Sequence, residues 1–107
     1  MDIRMLMKQA QQMQAKMAKA QAELETKEVT AEVGGGQVKV VMNGRHRLKS
    51  LTIAPTAVDP DDIEFLQELV LSAVNEGAAA VDDMIQKEMG AVTGGLNVPG
   101  LNLPGMG

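Results

Sequence analysis

The chain has 107 residues, enough for one domain, and it contains no cysteine, which excludes disulfide bonds, thiolate catalysis and cysteine-based zinc sites. The net charge is −4, yet residues 1–49 hold nine of the ten basic residues against five acids, a net +4, whereas residues 50–107 hold Lys87 against nine acids, a net −8. This asymmetry indicates either a surface for an anionic or acidic partner, or attraction between the two halves within a dimer.

The N-terminus lacks the basic-then-apolar layout of a signal peptide, and no apolar run approaches the length that spans a membrane. We therefore expect a cytoplasmic protein with no membrane partner.

Residues 3 to about 25 are predicted to form one long helix, because apolar residues recur at alternating steps of three and four and neither Gly nor Pro interrupts them. This heptad seam is typical of helix–helix packing. It consists of Ile3, Leu6, Ala10, Met13, Met17, Ala20 and Leu24. A body of about 89 residues is small for a stable core. We therefore expect Leu6, Met13 and Met17 to support self-association.

A row of basic residues lies on the opposite side of this helix, since residues advance by about 100° each. The row consists of Arg4, Lys8, Lys16 and Lys19, together with Gln12. Only Asp2 dilutes its positive charge before Glu23. The row is either a site for anions or a solubilising face.

Three short strands are predicted next. Glu28–Val33 alternates polar and apolar residues, Gly34–Gly36 turns the chain, and a second strand covers Gln37–Met42. Asn43-Gly44 is a strong hairpin signal.

The register of this hairpin depends on the length of its loop. A two-residue loop would pair Val40 with Arg47 and mix apolar with basic residues on one face. We favour a three-residue loop, 42–44, with Gly44 left-handed, because it sorts the faces. Val40 then pairs with His46 and Val38 with Leu48, which places His46 on or near the core side. The opposite face would carry Lys39, Val41, Arg45 and Arg47. Leu51 and Ile53 break this alternation, which predicts a bulge near Lys49-Ser50.

A second long helix is predicted from Pro60 to about Met89, with Asp59 as its N-cap and Gly90 at its end. Its broad apolar face includes Leu69, Val70 and Ala73, which we assign to the core or to dimerisation. Gly77 inside the helix indicates a close approach or a slight bend.

The predicted fold class is therefore α+β, with residues 1–89 as a single α-β-β-β-α domain. Residues 90–107 carry six glycines, two prolines and a five-residue repeat, 96–100 and 101–105. We expect them to form a flexible tail, with a weak docking peptide as the alternative.

Nothing in the sequence predicts catalysis. His46 is the only histidine and has no partners for a ligand or base role, and the acids near Asp59 lack EF-hand spacing because Ile63 occupies a ligand position. Gly34–Gly36 precedes a strand rather than a helix, so it is not a phosphate loop. We expect no enzyme activity, no cofactor, no metal and no small-molecule substrate.

The nucleic-acid-binding modules with recognisable sequences are also missing. There is no helix-turn-helix spacing or zinc finger, and base stacking would need aromatic residues other than the single Phe65. Any DNA would have to be bound mainly through its phosphates.

The sequence resembles the YbaB/EbfC family of bacterial nucleoid-associated proteins. The matching stretches, in order, are 7–14 (MKQAQQMQ) with Lys16-Met17, 28–30 (EVT), 34–36 (GGG), 38–40 (VKV), Asn43-Gly44, Pro55, Leu69-Val70, Ala73 and Asn75-Glu76. The resemblance covers about residues 5–90. No single stretch is specific to the family, but the whole set in this order and spacing is.

This resemblance implies a tweezers-like homodimer whose long helices bind duplex DNA, organise the chromosome in the nucleoid and influence gene expression. Lys8 and Lys16 lie within the family's helical motif. We add Arg4, Lys19, Arg45 and Arg47 as DNA-binding residues from charge and geometry alone. The alternative function is a non-enzymatic adaptor that docks an acidic protein through its first helix.

Overall fold

The computed structural model describes residues 2–93, which form an α+β fold of two long helices and a three-stranded antiparallel sheet. The elements are α1 (Ile3–Thr26), β1 (Glu28–Val33), β2 (Val38–Asn43), β3 (Leu48–Ile53), a 3-10 turn (Pro55–Ala57) and α2 (Ile63–Thr93). The predicted fold class and the predicted order of helices and strands are confirmed. The predicted tail lies outside the described residues from 94 onwards.

Helix α1 begins where a capping residue satisfies its first free N–H groups. The Asp2 carboxylate accepts a hydrogen bond from the Arg4 backbone N–H at 3.1 Å, while the Asp2 carbonyl accepts from Met5 at 3.1 Å. The helix ends at Thr26, and a single extended residue, Lys27, connects it to β1. Because this connection is so short, the direction of α1 depends on what its last turn contacts.

The sheet has β2 at its centre and β1 and β3 at its edges. The predicted register of the β2–β3 hairpin is wrong, because Val40 pairs with Leu51 and Val38 pairs with Ile53. The strands are connected by residues 44–47 rather than by the predicted loop of residues 42–44. His46 rather than Gly44 is left-handed, with φ of 59°.

The side chain of Asn43 explains this shift of the loop. Its Oδ1 accepts hydrogen bonds from the backbone N–H groups of Arg45 at 2.9 Å and Arg47 at 3.1 Å, so Asn43 starts the turn instead of lying within it. The predicted bulge is confirmed. Val41 pairs with Ser50 and Met42 with Leu48, which leaves Lys49 as the extra residue.

The predicted bounds of α2 are wrong at both ends. Residues 59–62 form a β-turn in which the Asp62 N–H donates to the Asp59 carbonyl at 2.9 Å, and Pro60 occupies the second position that such turns favour. The helix therefore begins three residues later than predicted, with the Asp62 carboxylate accepting from the Phe65 N–H at 3.3 Å. At the other end it continues through Gly90 to Thr93.

The core lies between α2 and the two strands β1 and β2. Val38, Val40, Ala73 and Val81 are fully buried, and the predicted close approach at Gly77 is confirmed. A Cβ on Gly77 would lie 3.1 Å from Cγ2 of Val40, which explains the absence of a side chain there. In β3, Leu48 and Leu51 remain exposed, whereas Ile53 is half-buried against the core.

Candidate nucleic-acid interface

Most of helix α1 projects from the body of the protein. Every residue from Asp2 to Lys19 is exposed except the half-buried Met13, and burial begins only at Ala20. We call residues 3–19 the arm. It buries no face against the other described residues, so among these its surface is open to a partner.

One side of the arm carries four basic residues, which we call the basic stripe: Arg4, Lys8, Lys16 and Lys19. All four are exposed, and within residues 2–93 none of them has an acidic partner within 4.0 Å. From Arg4 to Lys19 the stripe is about 22 Å long at ~1.5 Å per residue. The structure thus brings together the four cations predicted on the first helix.

The predicted apolar seam lies on the other side of the arm, and only its C-terminal end is buried. Ala20 and Leu24 are buried at the base of α1, whereas Ile3 is 70% exposed, Leu6 49% and Met17 40%. The seam therefore joins α1 to the body over its last two turns. Along the arm, Ile3, Leu6 and Met17 stay exposed and only Met13 is half-buried.

Arg45 and Arg47 do not belong to the basic stripe. The hairpin register from which the face with Lys39 and Val41 was predicted is wrong: Arg45 lies in the turn, and Arg47 precedes β3. The Arg45 guanidinium lies 3.8 Å from the Glu25 carboxylate at the base of α1.

The two groups of cations border different clefts. Lys16 and Lys19 border one cleft, of about 360 Å³, together with Glu23 and Glu88. Arg45 borders the other, of about 330 Å³, together with Gln21, Leu24 and Ile85.

The residues assigned to the core or to dimerisation occupy two environments. Ala73 is fully buried against the sheet, and Leu69 packs against the same core. Val70 borders an almost wholly apolar groove of about 450 Å³ between α2 and β3. The groove is lined by Ile53, Leu66, Gln67, Val70, Leu71 and Val74.

Lys27 and Asn43 were not identified from the sequence, although both hold α1 in place. The Lys27 ammonium lies 2.6 Å from a carboxylate oxygen of Glu88 on α2. This hydrogen bond raises the pKa of Lys27 and lowers the pKa of Glu88. The Asn43 amide donates to the Glu25 carbonyl at 3.3 Å. The Asn-Gly pair signals the turn but not its contact with a helix, because that contact is between residues distant in sequence.

The prediction that His46 lies on or near the core side is wrong. It occupies the exposed turn, and its Nε2 lies 2.7 Å from an Asp82 carboxylate oxygen. Within residues 2–93, no three His, Cys, Asp or Glu side chains come together as metal ligands would. Over the same residues, neither helix is long and apolar enough to cross a membrane.

Comparison with known proteins agrees with this geometry. The model of the YbaB/EbfC DNA-binding family matches residues 1–96. A nucleoid-associated protein from Alkaliphilus metalliredigens is 51% identical over 96 residues, which are 90% of this chain and 84% of that protein. Another, from Thermoanaerobacter sp., is 53% identical over 100 residues, 94% of this chain and 90% of that protein.

A solved structure shares the fold. The crystal structure of an uncharacterized protein from Helicobacter pylori superimposes with a TM-score of 0.72 at 26% sequence identity, covering 91% of this chain and 99% of that one. The projecting basic arm, the α-β-β-β-α order and these matches lead to one conclusion: the chain belongs to the YbaB/EbfC DNA-binding family.

Proposed function

We propose that this protein is a nucleoid-associated protein that binds duplex DNA as a homodimer, mainly through backbone phosphates. Through this binding it organises the chromosome and influences gene expression. The observation that carries the proposal is the basic stripe, whose four cations are exposed on one side of a projecting helix and lack acidic partners among residues 2–93. The names of its relatives support a place in the nucleoid.

The composition of the arm favours phosphate contacts over base recognition. Lys and Arg side chains bind phosphates as flexible cations, whereas single-stranded recognition relies on aromatic stacking. The chain's one aromatic residue, Phe65, is on α2 rather than on the arm. A stripe of about 22 Å spans roughly two-thirds of a ~34 Å helical turn of DNA. Contacts to phosphate position a protein without reading sequence, so we expect little sequence preference.

The acidic residues among residues 50–107 favour a complex in which DNA lies against the arm rather than against α2. Glu64, Glu68 and Asp83 lie on the exposed surface of α2, where they would repel a phosphate backbone. Near the base of the stripe, Glu23 and Glu88 border the same cleft as Lys16 and Lys19. The positive potential is therefore least diluted around Lys8, further out along the arm.

Two apolar surfaces support the homodimer. One is the groove between α2 and β3, where Leu71 is 63% exposed. The other is the uncovered seam of the arm. Contiguous exposed apolar surface on a small chain favours association, and a second copy would extend a core that is thin in each chain.

The groove and the seam can be tested separately. Val70→Asp places a charge in the groove, and Leu6→Asp places one on the seam. Sedimentation of each variant then shows which surface holds two chains together. A folded monomer of the unmodified protein at micromolar concentration would contradict the homodimer.

A gel-shift salt series on one arbitrary duplex tests the DNA-binding proposal. The four cations on two arms offer up to eight phosphate contacts, of which about half should form at once, so log affinity should fall with log salt at a slope of roughly −3 to −6. A second duplex of unrelated sequence should give the same affinity and slope. No retention at low salt, or a slope near zero, would refute phosphate-dominated binding.

A further inference from the structure

The base of α1 is held by the turn between β2 and β3. Asn43, at the start of this turn, is only 3% exposed. Its side-chain Oδ1 accepts hydrogen bonds from the backbone N–H groups of Arg45 and Arg47. Its side-chain Nδ2 donates to the Glu25 carbonyl of α1 at 3.3 Å. One side chain thus shapes the turn and attaches it to the helix.

Gly44 brings the backbone of the turn against the same helix. Its N–H donates to the carbonyls of Leu24 at 2.9 Å and Lys27 at 3.1 Å. A Cβ on Gly44 would lie 2.7 Å from Cβ of Leu24, closer than real side chains approach. Gly44 therefore permits close contact between the turn and the last turn of α1.

Two side chains of the turn extend this junction to both helices. The Arg45 guanidinium lies 3.8 Å from the Glu25 carboxylate of α1, and His46 lies 2.7 Å from the Asp82 carboxylate of α2. Both contacts are exposed, so we assign them a minor share of the stability of this junction. The buried Asn43 amide is the central contact, since a buried polar group left without a hydrogen-bond partner is destabilising.

From this junction we propose that Asn43 is a positioning residue, which fixes the direction of the arm and so the placement of its basic stripe on DNA. The inference rests on the proposed function. Because the connection to β1 is one residue, and only Ala20 and Leu24 of α1 are buried, the contacts at the base of α1 determine where the arm points.

The length of the arm makes its tip sensitive to this junction. Arg4 lies 21 residues before Glu25, which is about 31 Å along the helix at ~1.5 Å per residue. A rotation of roughly 10° about the base would move the tip by about 5 Å at that radius, more than the ~3.4 Å axial spacing of phosphates on one strand. Two arms that must contact one duplex together would then lose contacts.

Asn43→Asp tests the proposal with little change to the turn. The aspartate keeps the oxygen that accepts from Arg45 and Arg47, but it replaces the amide donor with a second oxygen facing the Glu25 carbonyl. Ser50→Asp is the matched control, because it adds the same charge at an exposed position of β3. Asn43→Ser is the second variant. It adds no charge and removes the amide that donates to the Glu25 carbonyl. It tests the role of Asn43 if the aspartate variant does not fold.

The first measurement is a distance between spin labels in the full chain, which has no native cysteine. Labels at Gln9→Cys on the arm and Ser72→Cys on α2 occupy exposed sites, and dilution with unlabelled protein suppresses signals between chains. The parent and Ser50→Asp should give one narrow distance. The Asn43 variants should give a broadened distribution shifted by several ångströms. A merely structural role would lower the melting temperature without moving this distance.

The second measurement is the affinity of the unlabelled variants for an arbitrary duplex. Loss of one phosphate contact corresponds to about an 8-fold drop at 0.1 M salt, so the Asn43 variants should bind about 10-fold more weakly than Ser50→Asp. A folded Asn43 variant with an unchanged distance, or with a changed distance but unchanged affinity, would overturn the proposal. If the parent does not bind DNA, the proposed function fails, while the distance still decides whether Asn43 orients α1.

Discussion

Replacing both Lys8 and Lys16 with glutamate removes half of the basic stripe and reverses its charge there. Both side chains are exposed and neither contributes an ion pair within residues 2–93, so the fold and any dimer should persist. DNA retention at 0.1 M salt should be lost for every duplex alike, because phosphate contacts carry no sequence information.

The double variant Lys8→Gln and Lys16→Gln, which removes both charges without reversing them, gives the size of the expected loss of DNA affinity. A dimer would lose four of eight cations, and if half of those are engaged at once, about two phosphate contacts disappear. The salt slope should then become shallower by about 1.8. Since the two lines converge near 1 M salt, this difference corresponds to roughly a 60-fold loss of affinity at 0.1 M.

The assay is a gel-shift series from low to moderate salt on two unrelated duplexes, with circular dichroism and sedimentation on the same samples. Lys39→Gln with Lys49→Gln is the matched control, because it removes two exposed cations from the sheet instead of the arm. If the arm variant keeps the original affinity and slope while the control loses them, the reasoning is refuted. The sheet and turn, with Lys39, Arg45 and Arg47, would then be the contact surface.

Four further outcomes are expected. Val70→Asp should split the dimer or unfold the chain, as sedimentation and circular dichroism would show, because it buries a charge in an apolar groove. A chain ending at Thr93 should keep its melting temperature and oligomeric state, since a sequence rich in Gly and Pro does not favour regular packing; a large loss of either would mean that the tail packs somewhere. Gly77→Ala should lower the free energy of unfolding by about 1 kcal/mol in a denaturant titration, because overpacking of roughly 1–3 kcal/mol outweighs a helix-propensity gain of ~1 kcal/mol. The Lys27–Glu88 pair should stabilise most between pH 4.5 and 10.5, the ordinary pKa values of the two groups. The pair's contribution to stability is lost when falling pH crosses the lowered pKa of Glu88, and it is lost when rising pH crosses the raised pKa of Lys27. A Lys27→Met variant with the parent's pH–stability profile would contradict this.

Periodic patterns predicted the parts of the fold that depend on one element at a time. The uninterrupted heptad spacing predicted α1, and the broken alternation at Leu51 and Ile53 predicted the bulge at Lys49. The basic stripe followed from helical geometry, because residues of one helix share a face whatever surrounds it.

The errors arose where side chains contact distant backbone. The hairpin register was wrong because Asn43 hydrogen-bonds the turn and Gly44 is needed against Leu24, not for a left-handed conformation. The start of α2 was wrong because Asp59 and Pro60 suit a β-turn as well as a helix start. Local sequence does not distinguish such alternatives. For the hairpin, the contact between its turn and the base of α1 decides the register.

The close approach of α2 to β2 limits how the chain can vary. At Gly77 a single added carbon would lie 3.1 Å from Val40, while a Cβ at Gly90 on the same helix would meet no atom of residues 2–93 within 4 Å. Two glycines of one helix are therefore under opposite constraints. A saturation library should reject nearly every substitution at the first and accept most at the second. Change in this protein should accumulate on the outer surface of α2, away from the basic stripe of the arm, while the contact between α2 and β2 stays fixed.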